Sequence, residues 1–364
     1  MKVLHVLYSG LGGHGSVFFS MVNADRKHKY DYEAVFNGIE EIRNEYTERC
    51  TALNIPYTFI KKRPGKHFVF FYRLFKAIRK ADPEIIFLHG SIAVPVAFAA
   101  KLLSSKRSKI IVRETQAMHM KTGAEKAALK LSMLLADKIV FLSNQYQQDV
   151  KQNIGWLYRH NKIMVIPNGI DLSLFCPGLS KQHNKELTLG MASRLVAIKD
   201  HITLFAAIGL LKNKYPAVNV KLFIAGDGEY RNVLEQAVDE LHLRGTIIFT
   251  GTLDEKKLPA FLQSLDIYIH ASLGETMSTA IMQAMACGLP IIASDVAGIN
   301  NMVENEVNGL LVPAKNEIKL AAVLEELISN LTKREQLAEG ALIFAKNNFS
   351  NLIMFERYNQ AFLS

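Results

Sequence analysis

Cysteine is scarce: Cys50, Cys176 and Cys287 are the three in a chain of 364 residues. They lie far apart, form no C-x-x-C and are odd in number. That argues against a disulfide scaffold or a zinc cluster and suits a reducing cytoplasm. No stretch approaches 18 uninterrupted apolar residues, so no membrane-spanning helix is expected. Only a short apolar run separates Met1-Lys2 from Ser9-Gly10, too little for a secretory signal. Internal repeats of about 20–50 residues and low-complexity tracts are missing. No Asp-x-Asp occurs; Asp31-Tyr32-Glu33 comes nearest.

What is present is the composition of a globular protein with a large core, 49% hydrophobic and 21% charged. At roughly 100–200 residues per domain, the length predicts two domains. The net charge of +9 is uneven. Residues 1–172 carry 26 Lys+Arg against 14 Asp+Glu, and residues 173–364 carry 17 against 20. A basic front half and a mildly acidic back half predict different partners.

Short β-rich runs alternate with amphipathic stretches throughout, which predicts βαβ units and parallel sheets covered on both faces. The expected strands are Lys2–Tyr8, Tyr32–Phe36, Pro56–Ile60, Glu84–Leu88, Lys109–Val112, Lys138–Phe141 and Lys162–Ile166. After a turn at Ile166–Asp171 and a polar linker at Ser180–Glu186, strands resume at Leu187–Ala192, Val220–Ala225, Thr246–Thr250, Ile267–His270 and Pro290–Ala293. The expected architecture is two doubly wound α/β domains facing a central cleft, residues 1–172 and 173–346. A last helical segment, 347–364, is expected to cross back to the first domain.

Gly10-Leu11-Gly12-Gly13-His14-Gly15 follows the first strand and satisfies G-x-G-x-x-G, as in dinucleotide-binding folds. The acid expected at the end of the second strand is absent, since Val35-Phe36 ends in Asn37. A tight turn or a substrate-contacting loop fits better than a nicotinamide site.

The back half carries sharper signals. Arg194 and Lys199 stand in a strand-to-helix loop, where a planar fork and a mobile point charge can converge on one diphosphate. Gly226-Asp227-Gly228 follows a strand and lets backbone approach a ligand, or makes an ordinary turn. Ser272 to Ala280 clusters Ser and Thr at a helix start, with Met277 and Ser278 at an anion-binding helix end and Gly288 closing the helix. Glu275 would repel phosphate there and is expected to face sugar hydroxyls. Gln283, read on the same helix, would lie roughly 12 Å further along its axis.

Together these residues resemble the nucleotide-sugar-dependent retaining glycosyltransferases of family 4, which have the two-domain GT-B fold. The resemblance covers the glycine loop, the Ile166–Asp171 motif, Arg194 with Lys199, Gly226-Asp227-Gly228 and the Glu275 segment. It implies a second domain that binds a nucleotide-diphosphate sugar donor, of UDP or GDP type, and an acceptor-binding first domain. By it, Arg194 and Lys199 hold the diphosphate, Glu275 contacts the donor sugar, and Gly12, Gly13, Gly226, Met277 and Ser278 line the bound co-substrate. Gln283 stands where the family has a second glutamate, separated from the first by seven residues, that holds the ribose. A first-domain histidine is implied near the reacting sugar; His119 is the leading candidate, with His14 and His89 as rivals. No metal or other cofactor is expected. Bacterial members of that family often build surface polysaccharides. A sugar-nucleotide epimerase of the same architecture is the alternative, followed by a nucleotide-dependent dehydrogenase and a non-catalytic sugar-nucleotide sensor.

Residues 61–80 hold eight cations, no acid and five aromatics. The expectation is a helix with one aromatic and one basic face, as on anionic membrane surfaces. A lipid-linked saccharide acceptor at the inner leaflet fits that charge. No nucleic-acid motif accompanies it, so no nucleic-acid partner is expected. The expected location is cytoplasmic, peripheral on the inner face of the membrane.

Overall fold

The computed structural model describes residues 1–10, 13–63, 67–178, 186–254 and 256–364. Gly12, residues 64–66 of the basic segment and Ser180–Lys185 of the linker lie outside the described residues. The chain divides into two compact units: Met1–Asp171 with Asn351–Ser364, and Leu172–Ser350.

The first unit is built on β1 (Lys2–Tyr8), β2 (Asp31–Gly38), β3 (Tyr57–Lys61), β4 (Ile85–His89), β5 (Lys109–Arg113), β6 (Lys138–Phe141) and β7 (Ile163–Val165). All pairs are parallel, in the order β3-β2-β1-β4-β5-β6-β7. The central strands read as near-continuous apolar runs because helices cover both faces of the sheet. The helices are α1 (Gly13–Ala24), α2 (Asn44–Ala52), α3 (His67–Ala81), α4 (Val94–Leu102), α5 (Gly123–Leu135) and α6 (Asn144–Ile154). Helix α5 starts at a reciprocal capping box between Thr122 and Glu125. Helix α6 starts at Ser143, whose hydroxyl accepts from the Tyr146 N–H, and stops at Gly155.

The second unit repeats the plan with β8 (Leu187–Ala192), β9 (Val220–Ala225), β10 (Ile247–Gly251), β11 (Ile267–His270), β12 (Ile291–Ser294) and β13 (Leu310–Val312). Their order is β10-β9-β8-β11-β12-β13, again parallel throughout. Its helices are α7 (His201–Lys214), α8 (Arg231–Glu240), α9 (Leu258–Ser264), α10 (Thr279–Ala286), α11 (Glu317–Ser329) and α12 (Leu331–Asn348). Asn330 ends α11 and caps α12, which turns the chain in one residue.

Helix α13 (Asn351–Leu363) belongs to the first unit. Met354, Phe355, Tyr358 and Phe362 join Val3, Met21, Phe87 and Ile166 in one buried cluster. Phe362 meets Tyr30 edge to face, and Tyr358 meets Phe87 likewise. The Ile166–Asp171 turn is fastened there too: the Gly169 N–H points at the Met354 sulfur, and Ser20 donates to the Gly169 carbonyl.

Helix α3 corrects the expected split of faces. Phe70, Leu74, Ile78 and Ala81 form its buried stripe, while Phe68 and Tyr72 are exposed beside Arg73, Lys76 and Lys80. At 100° per residue, Phe68 and Phe70 point to opposite sides, so five aromatics over positions 68–75 cannot share one face.

Candidate active site

In an open parallel sheet, ligands bind beyond the carboxyl ends of the strands where the strand order reverses. In the second unit that point lies between β8 and β11, and the loops leaving both strands carry the expected residues. The β8 loop runs from Ser193 to a short turn at Ala197–Lys199 before α7. The β11 loop runs from Ala271 to Ser278, which caps α10 by accepting from the Ile281 N–H. The loops are tied together at the Ile198 carbonyl, which accepts from the Leu273 N–H at 2.8 Å and the Ser272 hydroxyl at 3.2 Å.

This brings Lys199 and Glu275 into contact. The Lys199 ammonium pairs with Glu275 Oε1, and both side chains are 14% exposed. His270 Nε2, at the end of β11, lies 2.9 Å from the same oxygen. Burial opposes the charge on Glu275, but the His270 hydrogen bond and the Lys199 ammonium outweigh it and hold the carboxyl at about 2. Glu275 is therefore an anion across the working pH range. Burial keeps His270 below the usual histidine value, although Glu275 pulls the other way.

Glu275 is not on the helix that follows it; α10 begins at Thr279. The spacing to Gln283 is consequently not a helical rise, because two loop residues, Thr276 and Met277, and the cap Ser278 intervene. Gln283 is buried within α10. Gly288 ends that helix at positive φ, with its N–H on the Met285 carbonyl and the Leu289 N–H on the Ala284 carbonyl. Arg194 is exposed, and its guanidinium has no partner among the described residues. Gly226 serves the packing of two loops. At its φ of 140°, a Cβ would stand 1.9 Å from the Ser193 carbonyl oxygen. Glycine lets the β9 loop close on the loop that carries Arg194, an approach fixed by Leu195 N–H to Asp227 O at 3.0 Å.

The equivalent reversal in the first unit lies between β1 and β4. A cavity of about 260 Å³ opens there, lined by Tyr8, His14, Lys62, His89, Glu114 and Thr115 among others. Glu114 is buried, paired with Lys121 and accepting from Ser91. His14 Nε2 lies 3.1 Å from the Thr115 hydroxyl. Behind the cavity His5 Nδ1 meets His89 Nε2 at 3.2 Å, and fully buried Arg113 reaches His89 Nδ1 and the Asn168 side-chain oxygen. Burial first, then Arg113, pushes His5 and His14 down to about 3 and His89 well below its ordinary value. All three are neutral rings. His14 and His89 line the cavity, whereas His119 sits exposed on a short turn, Met118–Met120. Gly13 opens α1, and the Asn37 amide donates to the Leu7 carbonyl.

Sequence reasoning passed over His270, His201 and Gly298. His201 Nε2 lies 3.0 Å from the Ser193 hydroxyl, and a Cβ on Gly298 would stand 2.2 Å from the Glu275 carbonyl oxygen. The available signal was a histidine ending a buried strand just before a Ser- and Gly-rich loop. Among the described residues, no three His, Cys, Asp or Glu side chains are grouped to hold a metal ion, and no helix is long and apolar enough to cross a membrane.

Two parallel-sheet units of this topology place the chain in the GT-B class. The Anabaena protein HepE, solved with UDP and glucose, superposes with a TM-score of 0.83 over 100% of both chains at 20% identity. Residues 11–174 match the family described as Glycosyltransferase Family 4, and residues 179–342 the family described as Glycosyl transferases group 1. The chain belongs to the family 4 glycosyltransferases. Alpha-monoglucosyldiacylglycerol synthase of Streptococcus pneumoniae is 30% identical over 55% of this chain and 47% of its own length. The Escherichia coli UDP-Gal:alpha-D-GlcNAc-diphosphoundecaprenol alpha-1,3-galactosyltransferase is 32% identical over 42% of this chain and 41% of its own. The chain thus spans about half the length of these curated relatives, and neither favours the epimerase alternative.

Proposed function

We propose that this protein is a retaining glycosyltransferase. It moves a sugar from a nucleotide-diphosphate donor, of UDP type, to a saccharide or lipid-linked saccharide acceptor in surface polysaccharide synthesis. The observation that carries this reading is the Lys199–Glu275 pair beside exposed Arg194 at the switch point of the second unit. The UDP in the HepE structure, the UDP-Gal and diphosphoundecaprenol-linked GlcNAc in the Escherichia coli relative's name and the glycolipid in the Streptococcus pneumoniae relative's name support the donor and acceptor classes.

In this reaction the bond from the anomeric carbon to the diphosphate oxygen breaks. The new bond forms to an acceptor oxygen on the same face, and the acceptor proton passes to the departing phosphate. Arg194 and Lys199 stabilise the negative charge that grows on the diphosphate, so no divalent metal is needed. Glu275, ionised at neutral pH, accepts from sugar hydroxyls and offsets the positive charge growing on the ring. The neutral donors and acceptors of the His14–His89 cavity suit the hydroxyl groups of an acceptor. The exposed Phe68, Tyr72, Lys76 and Lys80 of α3 would hold the first unit against an anionic leaflet.

The test is a transfer assay with UDP-sugars, a lipid-linked saccharide and EDTA. A product with the donor's anomeric configuration, formed in EDTA and lost in Lys199→Ala, is the expected result. An inverted product or dependence on magnesium overturns that part of the reading. An isomerised donor without acceptor restores the epimerase.

A further inference from the structure

The neighbour of Glu275 that neither the spacing of motifs nor the likenesses single out is His270. It is buried at the end of β11, and its two ring nitrogens face different partners. Nε2 lies 2.9 Å from Glu275 Oε1 and 3.3 Å from the Ser278 hydroxyl; Nδ1 lies 3.3 Å from the Tyr268 hydroxyl. Tyr268, also buried, reaches back to the end of β8: its oxygen lies 3.2 Å from the Ala192 carbonyl and 3.3 Å from the Ala192 N–H.

We propose that His270 is a positioning residue for Glu275, holding the carboxylate through an Nε2–H tautomer fixed by Tyr268. The inference rests on the transferase reading and adds a member to its site. Its logic is donor and acceptor counting. Ionised Glu275 can only accept, so Nε2 must carry the proton. A neutral ring then leaves Nδ1 as an acceptor, and the Tyr268 hydroxyl, which accepts from the Ala192 N–H, has one proton to share between Nδ1 at 3.3 Å and the Ala192 carbonyl at 3.2 Å. Because Ala192 immediately precedes Ser193-Arg194, one chain of hydrogen bonds registers the Glu275 loop against the diphosphate-binding loop. The Ser278 oxygen faces the same Nε2 and caps α10, so the helix start is held in the same register.

The charged and titratable groups around Glu275 are few. Lys199 faces it from the β8 loop and His270 from β11; Tyr268 stands behind His270, and His201 approaches from the start of α7. Burial raises the Glu275 pKa, while His270 and Lys199 lower it. Removing the imidazole leaves burial opposed by Lys199 alone, so the carboxyl protonates at a higher pH. The acid limb of the rate profile must then move upward.

The test compares wild type, His270→Gln and His270→Ala. Gln keeps an N–H donor near the Nε2 position; Ala keeps none. In His270→Ala the acid limb of kcat against pH should move up by about one unit or more. Its kcat should fall about 10²-fold, with the KM for the nucleotide sugar changed far less. The acid limb of His270→Gln should stay near that of wild type. Equal acid limbs in all three proteins, with activity following thermal stability alone, overturn the proposal. A second readout needs no turnover: ¹⁵N-histidine spectra, with His270 identified by its loss in His270→Gln. A protonated Nε2 and bare Nδ1 from pH 5 to 8 are expected, and an Nδ1–H tautomer overturns the relay. Absence of transfer from every donor would sink the transferase reading while leaving this spectroscopic result to decide the tautomer.

Discussion

The two units share a strand order and a switch point, yet the histidines and carboxylates around those points are held in different states. In the first, desolvation holds three rings neutral, His5, His14 and His89, while Arg113 meets Asn168 and His89 rather than a carboxylate and Glu114 pairs with Lys121 on the cavity wall. In the second, pairing preserves charge: Glu275 stays ionised because Lys199 and His270 face it. Neutral rings can give and accept hydrogen bonds without attracting counter-ions, which suits the hydroxyl groups of a sugar ligand. A site made of opposed charges can exchange one partner for a ligand of the same sign, which suits a diphosphate.

Lys199→Ala should have the largest effect on this contrast, lowering transfer by about 10²–10³-fold, as for loss of a preorganised electrostatic group. Full activity in that variant would show that the pair is a structural bridge only. In the first unit Arg113→Met should cost about 3 kcal/mol of stability, since Asn168 and His89 lose a buried partner. Urea unfolding measures it, and an unchanged midpoint would mean that the guanidinium contributes nothing net. Gly226→Ala comes next, at about 2 kcal/mol, because φ 140° and the Ser193 carbonyl both oppose a Cβ. A substitution neutral by thermal melting would show that the two loops can separate freely.

The pH dependence sharpens the contrast further. The first-unit histidines have folded pKa values below their ordinary 6.5, so the unfolded chain binds more protons once pH drops under that value. Their stabilising contribution is complete above pH 6.5 and is lost as pH falls toward 3. Each contributes a slope of up to about 1.4 kcal/mol per pH unit. Glu275 behaves likewise in a lower window, losing its contribution as pH falls from the ordinary carboxylate range toward 2. Melting temperatures between pH 8 and 4 should therefore fall from about pH 6.5 downward, and less steeply in His5→Leu. A flat profile would mean that the rings are not held neutral. The smallest effect belongs to the surface: Lys76→Gln with Lys80→Gln should weaken binding to anionic vesicles by about 1 kcal/mol per cation in a sedimentation assay. Equal sedimentation would remove α3 from any membrane role.

The strands were legible because parallel sheets covered on both faces need uninterrupted apolar runs, and Lys2–Tyr8 and Val220–Ala225 are such runs. Strand β13 was missed: Leu310–Val312 is three residues long and follows polar turns. Arg194, Lys199 and Glu275 were legible as residue types in strand-to-helix loops. The Lys199–Glu275 pairing was not, because the Ile198 carbonyl that joins the loops has no side-chain signature. His119 drew attention by following a strand. The cavity instead takes His14 and His89, since the chain beyond β5 turns His119 outward.

Helix α13 gives the molecule an order of assembly. Tyr358 and Phe362 close a cluster whose other members, Val3 and Phe87, lie more than two hundred residues earlier. On the ribosome, the second unit has all its residues before the first has its last ones. The first sheet must wait with an apolar face uncovered until a complete neighbour has emerged. A chaperone that recognises exposed apolar surface would thus find its longest-lived target in the part of the chain made first.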